Sequence, residues 1–205
     1  MSLDVSPDGS TVVFDLLGDI YAIPATGGEA KLLHGGPAMQ RTPRFSADGS
    51  RILYISDQSG IENAWTSRSD GSDARQVTHE VRDLVMAASW GPDAHSIVVE
   101  RIGGRYPQRF ASEIRLYDLA GGSVTLVPTP ANGRDVAEPV VARDGRFVYY
   151  TERLAPEFQI YVDANHMNYA IRRREIATGM VTTMARGWGG ALAPQVSPDG
   201  KRLAF

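Results

Sequence analysis

The feature that most constrains this chain is an aspartate that returns in phase five times. Ser6-Pro7-Asp8-Gly9 stands near the start and Ser197-Pro198-Asp199-Gly200 near the end. Ser46-Ala47-Asp48-Gly49, Gly91-Pro92-Asp93-Ala94 and Ala142-Arg143-Asp144-Gly145 are weaker copies between them. The five aspartates lie 40, 45, 51 and 55 residues apart, so the unit is long and lengthens along the chain. Each tetrapeptide reads as a turn. Proline presets φ, aspartate folds its carboxylate back onto the backbone, and glycine takes positive φ. The structural role of Asp8, Asp48, Asp93, Asp144 and Asp199 follows from that chemistry. A calcium site would need six to eight converging oxygens, and one aspartate per unit does not supply them.

The neighbours of each aspartate keep phase. Four and six positions after it come Val12/Phe14, Ile52/Tyr54, Ile97/Val99, Val148/Tyr150 and Leu203/Phe205. Alternate positions of a strand share a face, so each pair points into one core. Three positions before it come Val5, Phe45, Trp90, Val141 and Val196, on the strand that enters the turn. Five before it, Pro43, Pro139 and Pro194 read as strand starts, where a missing N–H is tolerated. A third strand begins near Asp19, Asn63, Glu113 and Ala170, and a Gly-containing turn leads to a short fourth. Four strands joined by tight turns, at a period of about 40–45 residues, are the signature of a β-propeller blade. The expected fold is all-β: a partial β-propeller of four-stranded antiparallel blades, four of them plus the inner hairpin of a fifth. As one domain over 1–205, the blades fall at about 3–38, 39–84, 85–136 and 137–190, with a partial blade at 191–205.

The run Pro43-x-Phe45-Ser46-x-Asp48-Gly49-x-x-Ile52, with an Ile-Tyr strand and a Gly-Gly turn in the first unit, resembles the WD40-like repeat of TolB-type propellers. The resemblance covers nearly the whole chain. It departs most in the third unit, where Ala94 stands in place of glycine. Propellers of this type serve as bacterial envelope scaffolds, and they precede the catalytic domains of prolyl-oligopeptidase-like peptidases, tricorn-type proteases and some amidohydrolases. The stretch 103–114 is similar to the amidohydrolase-linked group. The resemblance implies a periplasmic or secreted protein, and the segment reads as part of a larger chain.

Composition narrows the function. Net charge is −3 and the charged fraction 22%, with no basic stripe for nucleic acid. No apolar run approaches the roughly 20 residues of a membrane span. With no cysteine, disulfide and thiolate chemistry are excluded. His34, His79, His95 and His166 fall in no HxH or HExxH spacing, and no GxSxG elbow occurs. No catalytic residue, metal or other cofactor is expected in this segment.

One trend points to function. Between the core residues of the second and third strands lie 5, 9, 14 and 20 residues in successive units. Such connections emerge on one face, and connections far beyond hairpin length tend to carry function. Arg105, Tyr106, Arg109 and Phe110 of the third unit, and Phe158, Tyr161 and His166 of the fourth, are the candidate binding residues, since exposed arginine and aromatic side chains anchor interfaces. The expected role is a non-catalytic scaffold for a hydrolase domain of the same native chain. The alternatives are an independent TolB-like module that binds a protein partner, or a propeller that binds a small ligand. Open ends of the array, one exposing some of Val12, Phe14 and Ile20 and the other the edge strand Lys201–Phe205, are expected to favour self-association.

Overall fold

The computed structural model describes residues 1–103, 111–131, 135–154, 169–186, 190–197 and 199–205. Every regular element among them is a strand, and no helix there is long and apolar enough to cross a membrane. Blade one is β1 (Leu3–Val5), β2 (Thr11–Leu16), β3 (Asp19–Pro24) and β4 (Lys31–His34). Blade two is β5 (Gln40–Phe45), β6 (Arg51–Ser56), β7 (Asn63–Arg68) and β8 (Arg75–Gln76). Blade three is β9 (Leu84–Trp90), β10 (Ser96–Gly103), β11 (Ala111–Asp118) and β12 (Ser123–Val127). Blade four is β13 (Val136–Val141), β14 (Phe147–Arg153), β15 (Tyr169–Glu175) and β16 (Val181–Arg186). A hairpin of β17 (Gln195–Val196) and β18 (Leu203–Ala204) follows. Each four-stranded sheet is antiparallel with strands in chain order.

The turn between the first two strands of each blade is built around its aspartate. Asp48 Oδ1 accepts the Ser46 hydroxyl at 2.6 Å and the Ser50 N–H at 3.0 Å, while Ser46 Oγ accepts the Arg51 N–H at 3.0 Å. The same bonds recur at Ser6/Asp8 and Ser197/Asp199. Asp93 instead accepts from His95 N and Ser96 Oγ, so the alanine at 94 leaves the carboxylate's turn role in place. Serine hydroxyls draw Asp8 down to about 2 and hold Asp48, Asp93 and Asp199 below the usual carboxylate range.

The core lies between blades. Val13 and Ile20 on the back of blade one pack against Phe45, Ile52 and Tyr54 on the front of blade two. Leu53, Ile55 and Ala64 of blade two meet Val85, Trp90, Ile97 and Val99 of blade three. Val98, Ile114, Leu126 and Val127 of blade three meet Val136, Val141, Val148 and Tyr150 of blade four. The alternation of the second strand explains this. Positions four and six after each aspartate face the preceding blade, and position five faces the next.

Two readings of the sequence need correction. Pro43 and Pro139 do not start their strands; β5 begins at Gln40 and β13 at Val136. The prolines sit in bulges where the register slips between Arg41 and Arg44 and between Ala137 and Val140. A bulge tolerates the missing donor as well as a strand end does. Ile20 is not on the open face of blade one. It is fully buried on the opposite face, against blade two.

Candidate functional site

The connections between second and third strands share one end of the blades with the connections between blades. Gln40 N donates to Gly18 O, Asp57 N to Met39 O and Val85 N to Glu62 O. The β2–β3 hairpin closes on Leu17-Gly18 alone, and the later connections span 57–62, 104–110 and 154–168. Arg105, Tyr106, Arg109, Phe110, Phe158, Tyr161 and His166 all lie outside the described residues. What is described is the footing from which the two longest connections leave.

That footing is ion-paired. In blade three the Arg101 guanidinium stands 3.0 Å from Glu80, donates to Glu113 at 2.8 Å and also pairs with Asp83. The Tyr117 hydroxyl donates to Glu80 at 3.1 Å. Arg101 thereby ties the connection into blade three to the two strands that flank 104–110. In blade four Arg153 pairs with Asp135, and Arg172 donates to Glu152 at 2.5 Å. Both long connections start from strands held by charge-assisted bonds rather than from frayed ends.

Between blades, carboxylates of one blade hold backbone of the next. Asp15 Oδ2 accepts the Thr42 N–H at 2.7 Å, Glu100 Oε2 the Glu138 N–H at 3.1 Å, and Glu138 Oε2 the Ala193 N–H at 2.7 Å. Between blades two and three the polarity reverses: the Arg41 guanidinium donates to the carbonyls of Met86 and Val85. Glu100 is 7% exposed, and its pKa is pushed up to about 7. Burial is the main cause, and the Glu138 carboxylate adds to it against the Glu138 N–H and Arg41. This is a proton-exchanging group near neutral pH. It stands beside a second carboxyl and a guanidinium, and its described hydrogen bond is spent on backbone.

Among the described residues no group of three or more His, Cys, Asp or Glu is placed to hold a metal ion. His34 stacks on Tyr54 with centroids 4.5 Å apart, its Nε2 is 2.9 Å from Ser67 Oγ, and burial lowers its pKa. It joins blades one and two. His79 and His95 stand apart on different connections, and His166 is outside the described residues.

The rim also carries two apolar side chains that the sequence reading passed over. Leu17 is 98% exposed at the hairpin tip and has φ of 54°. Met39, 60% exposed, lies beside Gly18 on the connection into blade two. A left-handed leucine costs about 1–2 kcal/mol, and an exposed one returns nothing to the core. The readable signal was Leu-Gly at a two-residue hairpin turn, where Asn-Gly or Asp-Gly is the favoured pair.

Comparison with known proteins places this geometry. No family model matches the chain. Tricorn protease homolog 1 of Streptomyces coelicolor is 26% identical over 132 residues, 64% of this chain and 12% of that protein. The TolB homolog of Chlorobium chlorochromatii is 24% identical over 164 residues, 80% of this chain and 32% of that protein. The structure of a putative TolB from Agrobacterium tumefaciens superposes with a TM-score of 0.76 at 19% identity, covering 98% of this chain and 67% of that one. The chain has the β-propeller fold seen in TolB structures. The tricorn protease structure also matches, at a TM-score of 0.74 and 14% identity, over 99% of this chain and 24% of that one. The chain spans about a third or less of the two curated relatives named.

Proposed function

We propose that this TolB-type propeller is a non-catalytic contact module, and that its working surface is the rim of Leu17, Met39 and the two long connections. The observation that carries this is Leu17. A bulky side chain is held fully in solvent, in a backbone conformation that disfavours it, at a tip where the fold asks only for a tight turn. Contact with another protein surface accounts for both features, because an exposed leucine on a rigid hairpin is an apolar anchor.

The partner surface in this reading is a hydrolase domain of the same native chain, in a periplasmic or secreted bacterial protein. Relatives whose names are those of proteases, the tricorn protease homolog and dipeptidyl-peptidase 5 of Porphyromonas endodontalis, support a hydrolytic setting. The likeness of 103–114 to amidohydrolase-linked propellers is the narrower form of the same proposal. Arg105, Tyr106, Arg109, Phe110, Phe158, Tyr161 and His166 extend the contact surface, with no cofactor, nucleic acid or membrane insertion involved. The similarity to a TolB homolog supports a second reading, an independent module that binds a separate envelope protein.

The test is hydrogen exchange on a longer natural chain that contains this segment, as parent and as Leu17→Asn/Met39→Asp. Docking against a neighbouring domain predicts protection of residues 15–19 and 35–39 in the parent and its loss in the variant, with lower kcat/KM for hydrolysis. Equal exchange and equal activity in both chains would overturn the reading. Protection that arises only on adding a separate protein selects the independent module.

A further inference from the structure

The position eight residues before each turn aspartate holds Gln40, Val85, Val136 and Ala191 in successive blades. All four are buried, at 4%, 0%, 1% and 6% exposure. Three are apolar, and Val85 and Val136 lie in the cores between blades. Gln40 puts an amide at the equivalent place between blades one and two. It stands directly opposite Ser56, which is 0% exposed, and residues opposite one another in an antiparallel pair share a face. That face carries Ile52 and Tyr54 against blade one, since Ser56 is two positions beyond Tyr54 on β6. Gln40 Oε1 is buried and no described group donates to it, and Thr42 Oγ1 is likewise buried without a described partner. Ser56 Oγ accepts the Gln58 N–H at 3.2 Å and donates to no described group. The sheets on either side of these groups, blades one and two, both belong to the chain.

We propose that the junction of blades one and two encloses an internal water that bridges Gln40 Oε1 and Ser56 Oγ. The inference stands on register and burial and is independent of the functional reading above. Side chains directly opposite one another start from Cβ atoms about 4.5–5.5 Å apart. Gln40 and Ser56 are that close, yet the amide oxygen and the hydroxyl do not bond each other, so one small bridging molecule is what pairs both. Buried amide oxygens are nearly always hydrogen-bonded, because an unpaired one has given up its hydration for nothing. A buried water needs two to four polar partners. Here it donates to Gln40 Oε1 and accepts the Ser56 hydroxyl proton, and the Thr42 hydroxyl, two residues along β5 from Gln40, offers a third contact. The chemistry of these groups selects water over a cation. They are neutral, and the carboxylate that reaches β5 is already engaged: Asp15 accepts the N–H groups of Thr42 and Ser2 and the Ser2 hydroxyl. A calcium ion would require six to eight converging oxygens.

Crystallography of a natural chain that contains this segment, at a resolution that shows ordered solvent, tests the proposal. The expected result is one water within about 2.5–3.2 Å of both Gln40 Oε1 and Ser56 Oγ. A direct bond from a protein group to Gln40 Oε1, or no solvent between the two side chains, overturns it. Hydrogen exchange on the same chain gives a second test that needs no crystal. Gln40→Val copies the residue of blades three and four and removes the amide, so it serves as the background in which no bridge can form. Ser56→Ala should reduce the protection of residues 40–45 by a factor about three or more larger in the parent than in Gln40→Val, because the water links the two side chains only when both are polar. The bond from Gln58 N–H to Ser56 is lost in both backgrounds and cancels in that comparison. An equal loss of protection in the two backgrounds overturns the proposal as well.

Discussion

The carboxylate of Asp15 in blade one holds the backbone N–H of Thr42 in blade two, at 2.7 Å, and Thr42 is in the left-handed region with φ of 54°. The pairing recurs where the sequence permits it. Glu100, seven residues after its turn aspartate as Asp15 is after Asp8, holds Glu138, which has φ of 52°. Blade two has Ile55 at that position, and its counterpart of Thr42 in blade three, Ala87, has no positive φ. In these three junctions the strained residue and the carboxylate are present together or absent together. In the last junction Thr151 holds the position, donates its hydroxyl to Glu138, and Glu138 itself reaches Ala193, with φ of 53°. Each strained residue precedes a proline, which already discourages the right-handed conformation. The carboxylate then supplies the acceptor that a buried bulge N–H needs.

Asp15→Ala should therefore cost about 2–3 kcal/mol, since it leaves the Thr42 and Ser2 N–H groups without their acceptor. Burial works to raise the Asp15 pKa, but the bonds from Thr42 and Ser2 outweigh it and the net shift is downward. The stabilisation is accordingly present above the ordinary carboxylate range and lost as pH falls through the lowered value. Urea titrations at pH 7 and pH 3 check this, with a large difference between parent and variant at pH 7 and a smaller one at pH 3. Equal stability at pH 7 would show that the junction does not depend on the carboxylate.

The turn serine gives a prediction internal to the repeat. Ser46 is fully buried and both donates to Asp48 and accepts from Arg51 N. Ser46→Ala should lower stability by about 1–2 kcal/mol, the cost of unpairing a buried N–H. Blade four already has Ala142 at this position, and Asp144 keeps its bond from Arg146 N. Ala142→Ser should raise stability by several tenths of a kcal/mol. Thermal melts of the two variants should move in opposite directions, and a shift of the same sign in both would contradict the shared geometry.

The blades were legible in the sequence because a strand's side-chain period is two. Once Asp8 and Asp48 aligned, Val12/Phe14 and Ile52/Tyr54 had to share a face. The interblade bonds were not legible for a different reason. Asp15 and Glu100 are also in phase, but nothing local distinguishes a carboxylate that caps a neighbouring blade from a solvated one. The acceptor's role depends on the backbone conformation of Thr42 and Glu138, and proline at 43 and 139 reads equally well as a strand start or a bulge. The rim was legible only as connection length. Lengths of 5 to 20 residues said where a surface lies, and the exposed Leu17 came on the shortest of those connections.

Leu17 separates stability from contact. With φ of 54° and 98% exposure, Leu17→Asn should stabilise the chain by about 0.5–1 kcal/mol, because asparagine tolerates the left-handed conformation that the hairpin imposes. A higher melting temperature with weaker docking of a neighbouring domain is the paired outcome that the contact role requires. A lower melting temperature would mean that the leucine packs where the structure shows it in solvent.

Glu100 gives the chain a stability that depends on pH near neutrality. Its ordinary pKa of 4.5 is raised to about 7 in the fold, mainly by burial. Folding therefore favours the protonated form. The resulting stability is fully present below the ordinary value, and it is lost as pH rises through about 7. Two and a half pH units of such a shift correspond to about 3 kcal/mol, an upper figure since Arg41 and the Glu138 N–H favour the charged form. Glu100→Gln removes the titration and keeps a carbonyl oxygen for the Glu138 N–H. Parent and variant should be nearly equal in denaturant midpoint at pH 5, and the variant should be more stable by about 2–3 kcal/mol at pH 8.5. The Asp15 junction serves as the control, because a lowered carboxyl contributes no slope between those two pH values. A difference between parent and Glu100→Gln that stays constant from pH 5 to pH 8.5 would show that Glu100 is already ionised throughout, held by Arg41 rather than neutralised by burial.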